Sequence, residues 1–385
     1  MKLQNSSNPQ LLSVRVTSAM PAGERILLGE DSFHRMISLE RKRTERSRKP
    51  FLLILLDIGT ALPAGSGEKQ MASILSAVAL MTRETDVTGW YKDESILGVM
   101  FTELGAEEPT GIVETILNRV SAILRNYLSE DQLTRVNVTF HLFPEEWDQE
   151  LSRPSNPALY PDLSRRDDSR RLFRALKRYM DVAGSVLALV LFAPLFLAIA
   201  LAVKLTSEGP ILFRQRRVGQ HGKSFVFLKF RSMYINNDPS LHQDYVRDLI
   251  AGKAERKPSN GNGNGNGVYK LTVDPRITSV GAFLRKTSLD ELPQFFNVLR
   301  GEMSLVGPRP AIPYEVEAYD IWHRRRVLEA KPGITGLWQV NGRSKVKFDE
   351  MVRLDLRYAQ SWSPWLDLKI LLRTPGAVFT GDGAC

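Results

Sequence analysis

Residues 182–203 read VAGSVLALVLFAPLFLAIALAV, and the path of this stretch decides the architecture of the chain. It holds about 22 uncharged residues, within the length range of a helix that crosses a bilayer. Pro194 lies near its middle and removes a helix hydrogen bond there. Arg170, Arg171, Arg174, Lys177 and Arg178 precede it, and Lys204, Arg214, Arg216 and Arg217 follow it. A straight span would put one basic cluster outside, against the positive-inside tendency. A helix that enters over about 179–206, breaks at Pro194 and returns keeps both clusters on the cytoplasmic side. A kinked spanning helix is the plain alternative. Leu172, Phe173, Leu176 and Met180 fall at helical spacing with basic residues between them, which suits an anionic lipid surface. Asp181 heads the apolar run and is expected at the interface, because a carboxylate deep in lipid is costly.

The bulk numbers fit this reading. The chain has 385 residues, 43% hydrophobic, so a packed core can form and global disorder is excluded. The net charge of +9 predicts an anionic partner. A nucleic-acid binder is disfavoured, because the basic residues gather around the apolar stretch. Cys385 is the single cysteine, so an intrachain disulfide and a cysteine metal cluster are excluded. Residues 1–10 are polar, and no secretory signal is read there.

Upstream lies a domain predicted over residues 1–147. Phe51 to Asp57 reads as a buried strand and about Glu68 to Met81 as a helix. Thr88 to Phe101 reads as a hairpin turning at Lys92-Asp93-Glu94. A second helix is predicted from about Thr110 to Leu128, and a strand from Val136 to Phe143. The order βαββαβ predicts an α+β, ferredoxin-like sheet with helices on one face. It resembles diguanylate-cyclase (GGDEF-type) domains through Leu55-Leu56-Asp57 and Arg83-Glu-Thr-Asp86. The chain has Tyr91-Lys92-Asp93-Glu94-Ser95 where that family carries paired glycines. Those glycines let backbone approach nucleotide phosphates, so cyclase activity is not expected. Arg83 and Asp86 are either a remnant of a cyclic-dinucleotide site or a surface ion pair. Residues 148–168, with three prolines, read as a linker. The domain from 169 to 385 contains a Gly/Asn-rich insert, Ser259 to Gly267, read as a surface loop.

Chemistry is concentrated after the apolar stretch. Arg214, Arg216, Arg217, Lys229 and Arg231 lie in a run without acids, which suits phosphate binding or headgroup attraction. Arg285-Lys-Thr-Ser-Leu-Asp290-Glu291-Leu-Pro-Gln-Phe-Phe-Asn297 sets two acids at a helix start. Either Ser288 or Asp290 is predicted to cap that helix. Pro308 and Pro310 fix the backbone around Arg309 and so aim its guanidinium at an anion. Lys331 to Gly342 is glycine-rich and could let a ligand approach the backbone. Trp338 within it either stacks on a sugar or base, or packs in a core.

The apolar segment, Lys229-Phe-Arg-Ser-Met233, Ser288 to Gln294, Val306 to Pro310, Pro332 to Gly336 and Leu366-Asp-Leu-Lys-Ile370 occur in one order. This order resembles the bacterial sugar transferases called monotopic phosphoglycosyl transferases. The resemblance implies a mostly helical catalytic domain on the cytoplasmic face of a bacterial inner membrane. It implies transfer of a phosphosugar from a UDP-sugar to polyprenyl (undecaprenyl) phosphate, an early step of exopolysaccharide or glycoconjugate assembly. Asp290 would be the nucleophile, Glu291 its partner, and Mg²⁺ would sit at Asp290. Arg285, Arg309, Lys229 and Arg231, with Pro308 and Pro310, would bind substrate. The family breaks its helix at a Ser-Pro pair, where this chain has Ala193-Pro194. A homodimer and a cyclic dinucleotide at the N-terminal domain are further partners in view. The rival reading is a non-catalytic membrane adaptor with an N-terminal sensor domain.

Overall fold

The structure, a computed structural model, describes residues 27–58, 67–105, 109–127, 130, 136–145, 155–169, 171–235, 240–253, 276–342 and 346–379. The Gly/Asn insert, Arg170 and Cys385 lie outside them. The chain forms two units, one of residues 1–146 and 156–167, the other of residues 147–155 and 168–385.

In the first unit, α1 (Glu30–Ser47) precedes β1 (Phe51–Asp57), α2 (Gly67–Met81), β2 (Val87–Lys92), β3 (Ile96–Phe101), α3 (Pro109–Tyr127) and β4 (Asn137–Phe143). The sheet order is β2-β3-β1-β4 with antiparallel neighbours, as the predicted ferredoxin-like order requires. Leu52, Ile54 and Leu56 of β1 bury against Ile74, Val78 and Met81 of α2 and Val120 and Leu124 of α3. The expectation of helices on one face is corrected by α1. Phe33 of α1 is fully buried against Gly89 and Gly98, which face each other across β2 and β3. A Cβ at either glycine would lie under 3 Å from the Phe33 ring. The paired glycines therefore make a floor for Phe33, which explains why β-poor residues stand in mid-strand.

Asp86 does not form the surface ion pair expected with Arg83. Its carboxylate accepts the backbone N–H groups of Arg83 (2.7 Å) and Thr102 (3.2 Å), so it locks the turn, while Arg83 is exposed. The hairpin turn is tied to α1 by reciprocal bonds between Asp93 and Glu30. The linker expectation is also corrected. Residues 156–167 belong to the first unit, where α4 (Pro161–Ser169) pairs Asp162 with Arg41 and Arg165 with Glu30 and Asp31.

The second unit begins with α5 (Arg171–Leu191) and α6 (Ala193–Thr206), bent by 63° at Phe192. Among the described residues no single helix is long and apolar enough to cross a membrane, but this pair passes together. Pro194 occupies the first turn of α6, where the missing N–H leaves no bond unmade, so the break falls just before it. Leu172, Phe173, Leu176, Leu187, Val190 and Leu191 of α5 and Leu197, Leu201 and Leu205 of α6 are exposed. The other face of α5 is polar and turned inward. Asp181 is buried, not interfacial, and its Oδ1 accepts from Ser304 Oγ (2.8 Å) and Leu305 N–H (2.9 Å). Those donors replace the water that an isolated carboxylate would need.

The basic run before the apolar stretch also divides. Arg178 donates to the carbonyls of Val298 (2.6 Å) and Leu299 (2.7 Å), and Lys177 to Asp367 (2.6 Å). Two of the expected headgroup cations are thus spent inside the protein.

The chain continues through the hairpin β5 (Leu212–Val218) and β6 (Ser224–Phe230), then α7 (Ser240–Ile250), α8 (Ser279–Lys286), a 3₁₀ turn (Leu289–Glu291) and α9 (Gln294–Arg300). Strand β7 (Ser304–Val306) pairs in parallel with β8 (Gly333–Thr335). Between them lie α10 (Pro313–Glu317) and α11 (Arg325–Glu329). After β8 come α12 (Leu337–Asn341), α13 (Phe348–Ser361) and α14 (Pro364–Phe379).

Candidate active site

Asp290 and Glu291 sit in the 3₁₀ turn, so neither predicted capping register is present. Ser288 lies at φ 57° and makes no side-chain cap, and α9 starts after Pro293. Pro293 therefore interrupts no helix bond. The left-handed Ser288 turns the chain so that both acids meet strand β6. Lys229 Nζ lies 2.9 Å from Glu291 Oε1 and 3.8 Å from Asp290 Oδ2. The side chain of Asp290 is 8% exposed and that of Glu291 36%, so the two carboxylates differ in hydration.

Their proton affinities part accordingly. Burial pushes Asp290 above the usual carboxylate range, against the pull of the Lys229 ammonium; Glu291 pushes further up and Arg285 pulls down. Burial also pushes Glu291 up, but Lys229, Arg309 and Gln294 overcome it and hold Glu291 low. The two adjacent acids thus differ in proton affinity, Asp290 raised and Glu291 lowered.

Strand β6 is held against α9 by Asn297, which is fully buried. Its Oδ1 accepts Leu228 N–H (3.1 Å), and its Nδ2 donates to the Val226 carbonyl and Glu302 (both 2.7 Å). The position of Lys229 follows from this bridge. Asn297 closes the quoted motif, and its spacing was the available sign of a role.

Arg309 is exposed on a loop whose carbonyls are fastened one by one. Gly333 N–H donates to Pro308 (2.8 Å), Arg326 Nη2 to Arg309 (3.2 Å), Arg217 Nη1 to Pro310 (2.8 Å) and Val218 N–H to Ala311 (2.9 Å). Arg326 is itself buried and paired with Asp355 at 2.7 Å. From sequence, Arg217 reads only as one of a phosphate-binding or headgroup run, and Arg326 and Asp355 carry no reading. The triplet Arg324-Arg325-Arg326 gives no sign of which member points inward.

Two expectations fail here, and the alternative left open at Trp338 is decided for packing. Arg231, expected to bind substrate, is buried and donates to the carbonyls of Val203, Ser207 and Glu208 and to Ser207 Oγ. It closes the C-terminal end of α6, where orphan carbonyls need donors. The glycines of Pro332 to Gly336 admit backbone, not ligand: a Cβ on Gly333 would lie 2.0 Å from Gly307 N, and one on Gly307 2.2 Å from the Lys331 carbonyl. Trp338 is buried, with 9% exposure, and offers no stacking face. Lys229, Arg285, Arg309, Asp290 and Glu291 do converge by distance or electrostatic influence.

The acids suit a divalent cation of the magnesium type. Such an ion takes one or two carboxylates and completes its shell with water and substrate phosphate. Among the described residues no cluster of three His, Cys, Asp or Glu could cage a metal unaided. An ion at Asp290 would also offset the burial that raises its pKa.

A family description and several known proteins match this chain. The chain is 46% identical over 219 residues to an undecaprenyl-phosphate galactose phosphotransferase of Salmonella typhimurium, covering 56% of this chain and 43% of that protein. It is 42% identical over 211 residues to the exopolysaccharide production protein ExoY of Rhizobium meliloti, 54% of this chain and 87% of that one. It is 43% identical over 220 residues to a UDP-glucose:undecaprenyl-phosphate glucose-1-phosphate transferase of Caulobacter vibrioides, 54% of this chain and 71% of that one. The chain spans under half the length of the Salmonella protein and of other curated relatives that it matches. Among solved structures, the diguanylate cyclase SiaD of Pseudomonas aeruginosa aligns with 33% of this chain and 52% of its own, at 18% identity and TM-score 0.25. That score is too low to bear on ligand or activity. The bacterial sugar transferase description matches residues 172–381, more than half of the sequence, and the chain belongs to that family.

Proposed function

We propose that the chain transfers a sugar phosphate from a UDP-sugar to polyprenyl phosphate, such as undecaprenyl phosphate, at the cytoplasmic face of a bacterial inner membrane. The observation that carries this is the buried Asp290, beside Lys229 and Glu291, in the same unit as an exposed, bent apolar helix pair. In the first step an Asp290 oxygen attacks the sugar-linked phosphorus and the bond to UMP breaks. In the second, a polyprenyl phosphate oxygen attacks that phosphorus and the Asp290 carboxylate leaves. Two displacements replace one difficult transfer. Lys229, Arg285 and Arg309 hold phosphate charge, and Glu291 orients Lys229 or takes a proton. A magnesium ion at Asp290 would neutralise the diphosphate. The test is UMP release by detergent-solubilised protein from a panel of UDP-sugars with Mg²⁺ and polyprenyl phosphate. Release from one donor names the sugar, and release from none favours a membrane adaptor.

The pH dependence follows from the two acids. The attacking Asp290 must be ionised, and its folded pKa is raised, so UMP release falls as pH drops through a value above the ordinary carboxylate range. Lys229 is the strongest force opposing burial, so Lys229→Met is expected to move this acid limb to higher pH. Glu291→Gln removes a like charge and is expected to move it lower. Single-turnover pH profiles check both, and limbs that stay in place in both variants would reject Asp290 as the titrating group.

The bent pair is proposed to re-enter rather than span, on the 63° bend and the basic residues at both ends. In a Cys385→Ser chain, cysteines at Leu172 and Glu208 are both expected to react with an impermeant maleimide from the cytoplasmic side only. Labelling from opposite sides would establish a span.

A further inference from the structure

Two arginines are buried to the same degree behind the Arg309 loop, each 4% exposed, and the fold treats them differently. Arg326 has its carboxylate, Asp355, at 2.7 Å. Arg217 has none within ion-pair distance among the described residues. Its Nε donates to Gln215 Oε1 (2.9 Å) and its Nη1 to the Pro310 carbonyl (2.8 Å), both uncharged acceptors. Its Nη2 makes no hydrogen bond among the described residues.

The hairpin register places this charge on the catalytic side. Arg217 pairs with Phe225, Gln215 with Phe227 and Phe213 with Lys229, so Gln215, Arg217, Phe227 and Lys229 share one face of the β5–β6 ribbon. The Phe227 ring has a cation at each side of this row. Arg217 Cζ lies 5.0 Å and Lys229 Nζ 5.5 Å from its centroid. Lys229 has Glu291 at 2.9 Å, whereas Glu315 and Glu291 act on Arg217 only from beyond ion-pair distance.

A buried charge without a counter-ion is destabilising, and a phenyl ring offsets only part of the loss. Folding nevertheless keeps Arg217 in this position. Burial, and then the like charge of Arg309, depress its pKa to about 10 against the weaker upward pull of Glu315, Tyr314 and Glu291, so the two guanidinium groups repel each other across the loop. An anion between them would turn this repulsion into attraction from both sides.

We propose that Arg217 belongs to the site that binds the diphosphate of the donor, as a fixed positive charge that the fold leaves for the ligand to neutralise. This rests on the reading of the chain as a UDP-sugar transferase and adds a residue to its donor site. Arg309 approaches the anion from the solvent side and Arg217 from the protein side. The Arg217 bond to the Pro310 carbonyl also keeps the two aligned.

The test is UDP binding by the intact solubilised protein with Mg²⁺, measured by calorimetry apart from any turnover. Arg217→Gln is expected to weaken UDP at least about tenfold, or 1.4 kcal/mol. Lys223→Met, which removes an equal charge from the exposed turn of the same hairpin, is expected to change it less than about twofold. A Gln variant that binds UDP as tightly as the parent overturns the proposal, and so does a parent chain that binds no UDP. Should the Gln variant fail to fold, Arg217→Lys decides. An ammonium keeps the charge and loses the fork. Affinity held within about threefold supports the charge role, and a loss of about tenfold or more points to a strut and overturns it. If UDP binding depends on Arg217 but no donor releases UMP, the anion site stands and only the transferase reading falls.

Discussion

Asp290→Asn is expected to abolish UMP release, by at least about a thousandfold, while leaving the protein as stable as its parent or slightly more so. The asparagine amide keeps the shape of the carboxylate but cannot attack phosphorus. The stability half of the expectation comes from linkage. Burial raises the folded pKa of Asp290, so folding disfavours its ionised form. Above that pKa the parent carries a penalty that a neutral amide escapes. As pH falls through it, the parent takes up a proton and the difference closes. Glu291 behaves in the opposite sense. Its folded pKa is lowered, so it adds stability above its unfolded pKa and loses it as pH falls through the folded value. Its partial exposure keeps that contribution small. Glu291→Gln should therefore lower thermal stability at neutral pH where Asp290→Asn does not. The decisive measurement is intact mass after mixing with the active donor in the absence of polyprenyl phosphate. The parent should gain one sugar phosphate, and the Asn variant should stay at its own mass. Equal UMP release by both proteins would remove Asp290 as nucleophile.

The parts of this site that were legible from residues alone are those whose partners lie close in the chain or whose motif is long. Asp290 and Glu291 stand together in one turn, and the two prolines beside Arg309 announce a fixed loop. The strand order of the first unit was readable because each strand carries its own apolar run and the hairpin its own turn. What failed depended on distant partners. Arg231 reads as a substrate cation in a basic run, yet its acceptors lie 23 to 28 residues earlier, at the end of α6. Asp181 reads as an interfacial acid, yet its donors lie 123 and 124 residues later. Glycine spacing in Pro332 to Gly336 announced a close approach correctly, but the approaching group is the Gly307 backbone. Helix α1 is hard to read from sequence because its buried stripe of Phe33 and Ile37 lies within a run rich in arginine and glutamate.

The second large effect is expected at Asp367, where α5 is keyed to the C-terminal helices. Asp367 Oδ2 accepts from Lys177 Nζ (2.6 Å) and Trp362 Nε1 (3.1 Å), and Oδ1 from the Tyr358 hydroxyl (2.7 Å). Lys177 also donates to the Val306 carbonyl at 3.1 Å, three residues before Arg309. Burial, and then the Asp367 charge, push Tyr358 well above its ordinary pKa, so it stays a donor. Asp367→Leu would leave a lysine only 16% exposed with no counter-charge, and is expected to cost about 3–5 kcal/mol. Lys177→Met in the same chain removes the stranded cation and should restore most of that loss, because buried pairs replaced together are often close to neutral. Thermal inactivation of the two single variants and the double variant in one detergent measures the coupling. Recovery of stability without recovery of UMP release would mean that the pair sets the register of the Val306–Pro310 segment, and so the aim of Arg309, beyond holding α5 in place. Recovery of both would make it a fastening alone. A double variant no more stable than Asp367→Leu would show that the loss lies in the Tyr358 and Trp362 hydrogen bonds, not in the stranded charge.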